Sequence, residues 1–211
     1  MIVNAVQEHG LSINDGTVKI QQPSTVGSLL LVGASRLDLT NASLVVSGSN
    51  DPATIADEVK SGWSSGSWTG TGIVSSNAAA IAADSSNPHK TAIGFARAGE
   101  LGLTSFNGQS LAPDDTILRY TLAGDENLDG VVNALDFNSV ATNFGATDAS
   151  WVDGDFDFNG VIDSSDFTML AVNFGMAVPA SPLGSFVPES TQLCCIVAGV
   201  ILIRRRRRRC G

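Results

Sequence analysis

Between residues 10 and 50, short apolar runs alternate with small polar turns: Val18-Lys19-Ile20, Leu29-Leu30-Leu31, Leu37-Asp38-Leu39 and Leu44-Val45-Val46. A recurrence of about seven or eight residues predicts strands, arranged as β-solenoid rungs or as a sandwich. Ser49-Asn50-Asp51-Pro52 offers an N-cap followed by Pro at the first helical position, which predicts a helix over roughly 52–61 that stops near Gly62. An Ala-rich stretch predicts a second helix over 77–84, and Ala92–Ala96 and Thr116–Leu122 read as strands. Residues 1–122 therefore read as a β-rich domain with short helices. Opening in mid-pattern without a basic and apolar leader, it reads as the surviving end of a larger protein.

The period then changes from two to 3.6. Ala134–Asn143 and Ser164–Asn173 are predicted helices, each stopped by Phe-Gly. Phe137, Val140 and Phe144 fall on one face, as do Phe167, Leu170 and Phe174, and both stripes read as the core between two antiparallel helices. Farther on, Leu193–Ile203 is an apolar run of eleven residues that leads directly into Arg204–Arg209. As a helix it would span about 16 Å, against a hydrocarbon core of about 30 Å, so it predicts a short transmembrane helix whose arginines snorkel to the inner face.

The two helices belong to a repeat with an offset of 30 residues, Gly124–Gly145 and Gly154–Gly175, identical at ten of 22 positions. Counting Asp125 and Asp155 as position 1, oxygen-bearing side chains recur at positions 1, 3, 5, 9 and 12. They are Asp125, Asn127, Asp129, Asn133 and Asp136 in the first copy, and Asp155, Asp157, Asn159, Asp163 and Asp166 in the second. Gly130 and Gly160 stand at position 6, where a calcium loop turns sharply, and Val131 and Val161 at position 7, where it offers a backbone carbonyl. The spacing predicts two bound Ca²⁺ ions. Position 12 carries Asp in both copies where the ordinary EF-hand has Glu, and neither loop is entered by a helix.

Charge fits that reading. The chain holds 12 Lys and Arg against 21 Asp and Glu, and six of the basic residues are Arg204–Arg209. Residues 121–180 hold ten carboxylates and no Lys or Arg, a field that excludes nucleic acid as a partner of the folded part. All three cysteines lie at Cys194 or beyond, so residues 1–193 can hold no disulfide and no thiolate metal site. Carboxylates that must converge on one centre repel by about 1 kcal/mol per pair in water and about 4 at an effective dielectric of 20. Residues 121–176 are thus expected to fold only with calcium.

The paired loops with exit helices resemble the type I dockerin, a resemblance that covers roughly residues 121–176. It implies a small all-α double F-hand, folded by calcium, that docks on a cohesin-like or other surface protein. Dockerins present Ser or Thr at loop positions 10 and 11; Ser164 and Ser165 match, Ala134 and Leu135 do not, which implies a contact through the second helix alone. Pro188-Glu189, the apolar run and the arginines resemble a PEP-CTERM sorting signal, although Ser190 replaces the second Pro. The alternative is a simple tail anchor.

The expected fold class is multidomain β plus α: a β-rich domain over 1–122, the dockerin-like pair over 123–176, a linker over 177–192, and the transmembrane helix with its basic tail over 193–211. The expected function is non-catalytic: calcium-dependent attachment of an exported, surface-sorted or membrane-held protein, as in planctomycete surface proteins. No catalytic residues are assigned, because Glu8, Glu58 and Glu100 are scattered and nothing pairs them for glycoside hydrolysis. The alternative is the C-terminal piece of an exported polysaccharide-degrading enzyme or carbohydrate-binding protein, with Trp63 and Trp68 stacking on sugar or packing in a turn.

Overall fold

In a computed structural model that describes residues 1–178 apart from Asn4 and Ser49, the chain begins with eight short strands. They are β1 (Ile2–Val3), β2 (Gln7–Glu8), β3 (Leu11–Ile13), β4 (Thr17–Ile20), β5 (Ser24–Val26), β6 (Leu29–Leu31), β7 (Arg36–Asp38) and β8 (Ser43–Val46). Every third strand pairs in parallel: β1 with β4 and β4 with β7, β2 with β5 and β5 with β8, β3 with β6. These are the rungs of a three-sided solenoid, offset by 17 residues at Ile2↔Lys19 and by 18 at Leu11↔Leu29. Ile13, Ile20, Val26, Leu37, Leu44 and Val46 are buried within it.

Helix α1 (Pro52–Trp63) starts at Asp51, whose side chain accepts from the Ala53 amide, and ends at Ser64 in the left-handed conformation. The chain returns as β9 (Gly72–Val74), parallel to β7, and α2 (Ser76–Ala83) follows, capped by Ser75. β10 (Thr91–Arg97), the small hairpin of β11 (Ser105–Phe106) and β12 (Gln109–Ser110), and β13 (Thr116–Leu122) complete the strands. β13 pairs antiparallel with β10 along its whole length and with β8 on its other side, so one solenoid face becomes a mixed five-stranded sheet. α3 (Ala134–Asn143), a 3₁₀ turn (Trp151–Asp153) and α4 (Ser164–Asn173) follow.

The expected fold class, with its separate all-α module, is corrected by this arrangement. The described residues form one compact mixed α/β unit. The repeat pair adds its own β-bridges, Val131↔Ala177 and Thr147↔Val161, and its Leu128, Trp151 and Phe158 belong to the same apolar core as Ile93 and Leu118 of the sheet. Among the described residues no helix is long and apolar enough to cross a membrane; Leu193–Ile203, like Pro188 and Glu189, lies outside them.

Candidate metal centre

Both twelve-residue loops begin at the end of another element. β13 runs into Gly124 and the first loop, and the 3₁₀ turn runs into Gly154 and the second. A Cβ at Gly124 would stand 2.7 Å from Leu170 Cα, and one at Gly154 2.8 Å from Val140 Cγ2. Only a residue without a side chain allows this approach, so each loop seats on the helix of the other repeat. The loops are also cross-latched. Val132 donates to the carbonyl of Met176 at 3.0 Å, and Ile162 to that of Ala146 at 3.1 Å, tying each position 8 to the segment after the opposite helix. Both position-8 side chains are fully buried, as their apolar character predicts.

Inside the loops one hydrogen-bond pattern recurs thirty residues apart. The Asp125 carboxylate accepts from the amides of Asp129 (3.1 Å) and Gly130 (2.9 Å), and Asp155 from those of Asn159 (3.1 Å) and Gly160 (2.8 Å). Asp136 accepts from Glu126 at 2.8 Å and Asn133 at 2.8 Å; Asp166 accepts from Phe156 at 2.8 Å and Asp163 at 3.0 Å. The side chains of Asn133 and Asp163 cap α3 and α4 by accepting from Leu135 and Ser165. Positions 9 and 12 are thereby a reciprocal capping box, which explains why an acidic residue at position 12 also starts a helix. Asn127 and Asp129, like Asp157 and Asn159, accept from amides two residues on. Gly130 and Gly160 take φ of 91° and 84°, which makes the turn that aims these groups inward.

In the second loop the carboxylate oxygens of Asp155, Asp157 and Asp166 lie within 4.8 Å of one another. Among the described residues this loop alone gathers three acidic side chains so closely; in the first, the Thr121 hydroxyl donates to Asp125. Asp125, Asp136, Asp155 and Asp166 are all buried. Burial pushes the Asp125 carboxyl up to about 6, with hydrogen bonds from Thr121 and Gly130 opposing and the Asp136 charge adding to it. Burial likewise raises Asp155 to about 6, and raises Asp136 and Asp166. Glu126, at position 2, is raised to about 7 by burial and by the charges of Asp136, Asp125 and Asp153. The donor set is oxygen alone, since residues 121–178 contain neither Cys nor His, and it fits a hard divalent cation. Such an ion would supply the positive charge that these buried carboxylates lack.

Sequence reasoning missed how the loops are held to the sheet. Leu128 and Phe158, both at position 4, have left-handed backbones (φ 59° and 56°) and buried side chains. Leu128 packs over Gly94 of β10, and Arg119 of β13 donates to the Leu128 carbonyl. Phe158 stacks on Phe95 of β10 at 6.2 Å between ring centroids, and meets the edges of Trp63 (5.7 Å) and Trp68 (6.2 Å). An apolar residue at position 4 of both copies, between the oxygen-bearing positions 3 and 5, was the available signal. Trp68 is 3% exposed and buried in the core, and the partly buried Trp63 packs against that core, both rings meeting Phe158.

The helix stripes are also corrected. Val140 and Leu170 are buried, but Phe137, Phe144, Phe167 and Phe174 are 39–59% exposed. Ser164 and Ser165 are exposed in the first turn of α4. No protein-family model, curated protein or solved structure matches the chain.

Proposed function

We propose that the repeat pair is a non-catalytic, calcium-dependent attachment site, in which two Ca²⁺ ions complete the loops and α3 and α4 face a protein partner of the cohesin type. One observation carries it: the same cage of inward-turned carboxylates and donating amides is built twice, thirty residues apart, with the second cage bringing Asp155, Asp157 and Asp166 within 4.8 Å of one another. Positions 1, 3, 5, 9 and 12 supply side-chain oxygens, and the carbonyls of Val131 and Val161 complete each set. The ion's work is electrostatic. It offsets the mutual repulsion of buried carboxylates and fixes the first turn of each helix through the capping box. Extracellular calcium modules work at about 10⁻⁴–10⁻³ M, which suits an exported protein.

Differential scanning calorimetry of the full chain, with calcium and with EGTA, tests the reading. Binding to the folded state alone contributes about 2.7 kcal/mol per ion at a hundredfold excess over Kd. For a unit of this size that raises Tm by roughly 5–10 °C per ion. An unchanged Tm contradicts it. Because loops and sheet share one core, a single transition is expected to move as a whole.

A further inference from the structure

We infer that the partner docks in the groove between α3 and α4 by inserting an aliphatic or aromatic anchor framed by Lys or Arg; this rests on the attachment reading above. Nine of the thirteen exposed large apolar side chains among the described residues fall between Val131 and Met176, a concentration that marks an interaction surface rather than scatter. Three of them, Phe137 of α3 and Phe167 and Phe174 of α4, line a groove of about 390 Å³ together with Ala134, Leu170 and Ala171. Its floor is the buried Leu170, and Phe137 and Phe167 meet edge to face across it at 5.9 Å. The groove therefore spans both helices, with Phe137 and Phe167 at equivalent positions of the two repeats, whereas the Ser164-Ser165 pair belongs to α4 alone.

Charge selects the occupant. Residues 121–178 carry ten carboxylates and no Lys or Arg, so even two bound Ca²⁺ leave the repeat pair with a net negative charge. Neither helix has a basic residue in its last turn to offset its negative end. A second copy would oppose like charge to like charge, and phosphate-bearing polymers or anionic lipid would be repelled. A protein surface with an apolar anchor in a basic rim satisfies both features.

The test titrates dye-labelled helical peptides into the full chain at saturating calcium and follows fluorescence anisotropy. The probes are an amphipathic leucine/lysine peptide, its alanine/lysine counterpart and its leucine/glutamate counterpart. The leucine/lysine peptide is expected to bind, and to weaken about tenfold or more in Phe167→Ser. Ala134→Lys, which sets a cation at the groove edge, is expected to do the same. Equal binding of the alanine/lysine peptide, or binding unmoved by both variants, overturns the proposal. So does self-association in sedimentation velocity that Phe167→Ser abolishes, or binding to phosphatidylcholine vesicles in place of the peptide. Calcium calorimetry without peptide is run on each variant. Loss of calcium binding in the parent protein counts against the calcium reading, whereas intact calcium binding without peptide binding counts against the groove.

Discussion

The indole Nε1 of Trp151 donates a 2.8 Å hydrogen bond to the carbonyl of Asp125, so the residue that leads into the second loop holds the first residue of the first. Trp151 is fully buried, lies edge to face with Phe156 at 5.0 Å and stacks on Phe158 at 5.7 Å. One side chain thus joins both loops to the apolar core they share with β10.

Replacing that indole separates its two contributions. Trp151→Phe keeps a ring but leaves the Asp125 carbonyl without its donor, and is expected to cost about 1–3 kcal/mol. Trp151→Ala also empties the core and is expected to cost about 3–5 kcal/mol. Urea unfolding in saturating calcium ranks the two. A Trp151→Phe variant as stable as the parent would show that the hydrogen bond contributes nothing.

All three tryptophans of the chain, Trp63, Trp68 and Trp151, have ring centroids within 6.2 Å of the Phe158 ring. Calcium that orders the second loop is therefore expected to change tryptophan emission. In Phe158→Ala the change should fall to less than about half, and stability should drop by about 3–5 kcal/mol. An emission spectrum indifferent to calcium in the parent protein would show that the loop and the aromatic cluster are not coupled.

Gly94 of β10 is the seat of the first loop. A Cβ there would lie 2.5 Å from Leu128 Cδ2 and 2.6 Å from Trp151 Nε1. Gly94→Ala should overpack this contact at a cost of about 1–3 kcal/mol. Because the displaced groups belong to the loops, calcium affinity should fall with stability. Thermal unfolding and a calcium titration on the same variant check both.

The metal-free protein should lose stability as pH rises. Asp125 and Asp155 titrate near 6 and Glu126 near 7 when folded, against roughly 4 for carboxyls in the unfolded chain. Folding in EGTA therefore retains protons below about pH 4 to 5, and that contribution disappears as pH rises through about 6 to 7. Calcium affinity should change in the opposite sense, strengthening over the same window as protons cease to compete. Urea midpoints in EGTA should be higher at about pH 5 than at about pH 7.5, and calcium should reverse the order.

Local chemistry made much of this legible in the sequence. α3 and α4 run from Ala134 to Asn143 and from Ser164 to Asn173, the limits their caps and Phe-Gly stops predict, because those signals lie within a few residues of the helix ends. β13 occupies Thr116–Leu122 for the same reason. What periodicity does not reveal is which neighbour covers a face. Val140 and Leu170 are buried because the backbones at Gly154 and Gly124 press on them, and the phenylalanines one turn away are left outside. The contacts that merge the repeat pair with the sheet, Leu128 over Gly94 and Phe158 on Phe95, join residues more than thirty positions apart, beyond any local pattern.

Isothermal titration calorimetry of calcium into the full, chelator-stripped chain bears most directly on the central claim. Two ions are expected to bind, Asp155→Ala and Asp125→Ala should each leave one, and the double variant none. A parent stoichiometry other than two, or one that survives the double variant, would contradict the paired-loop account.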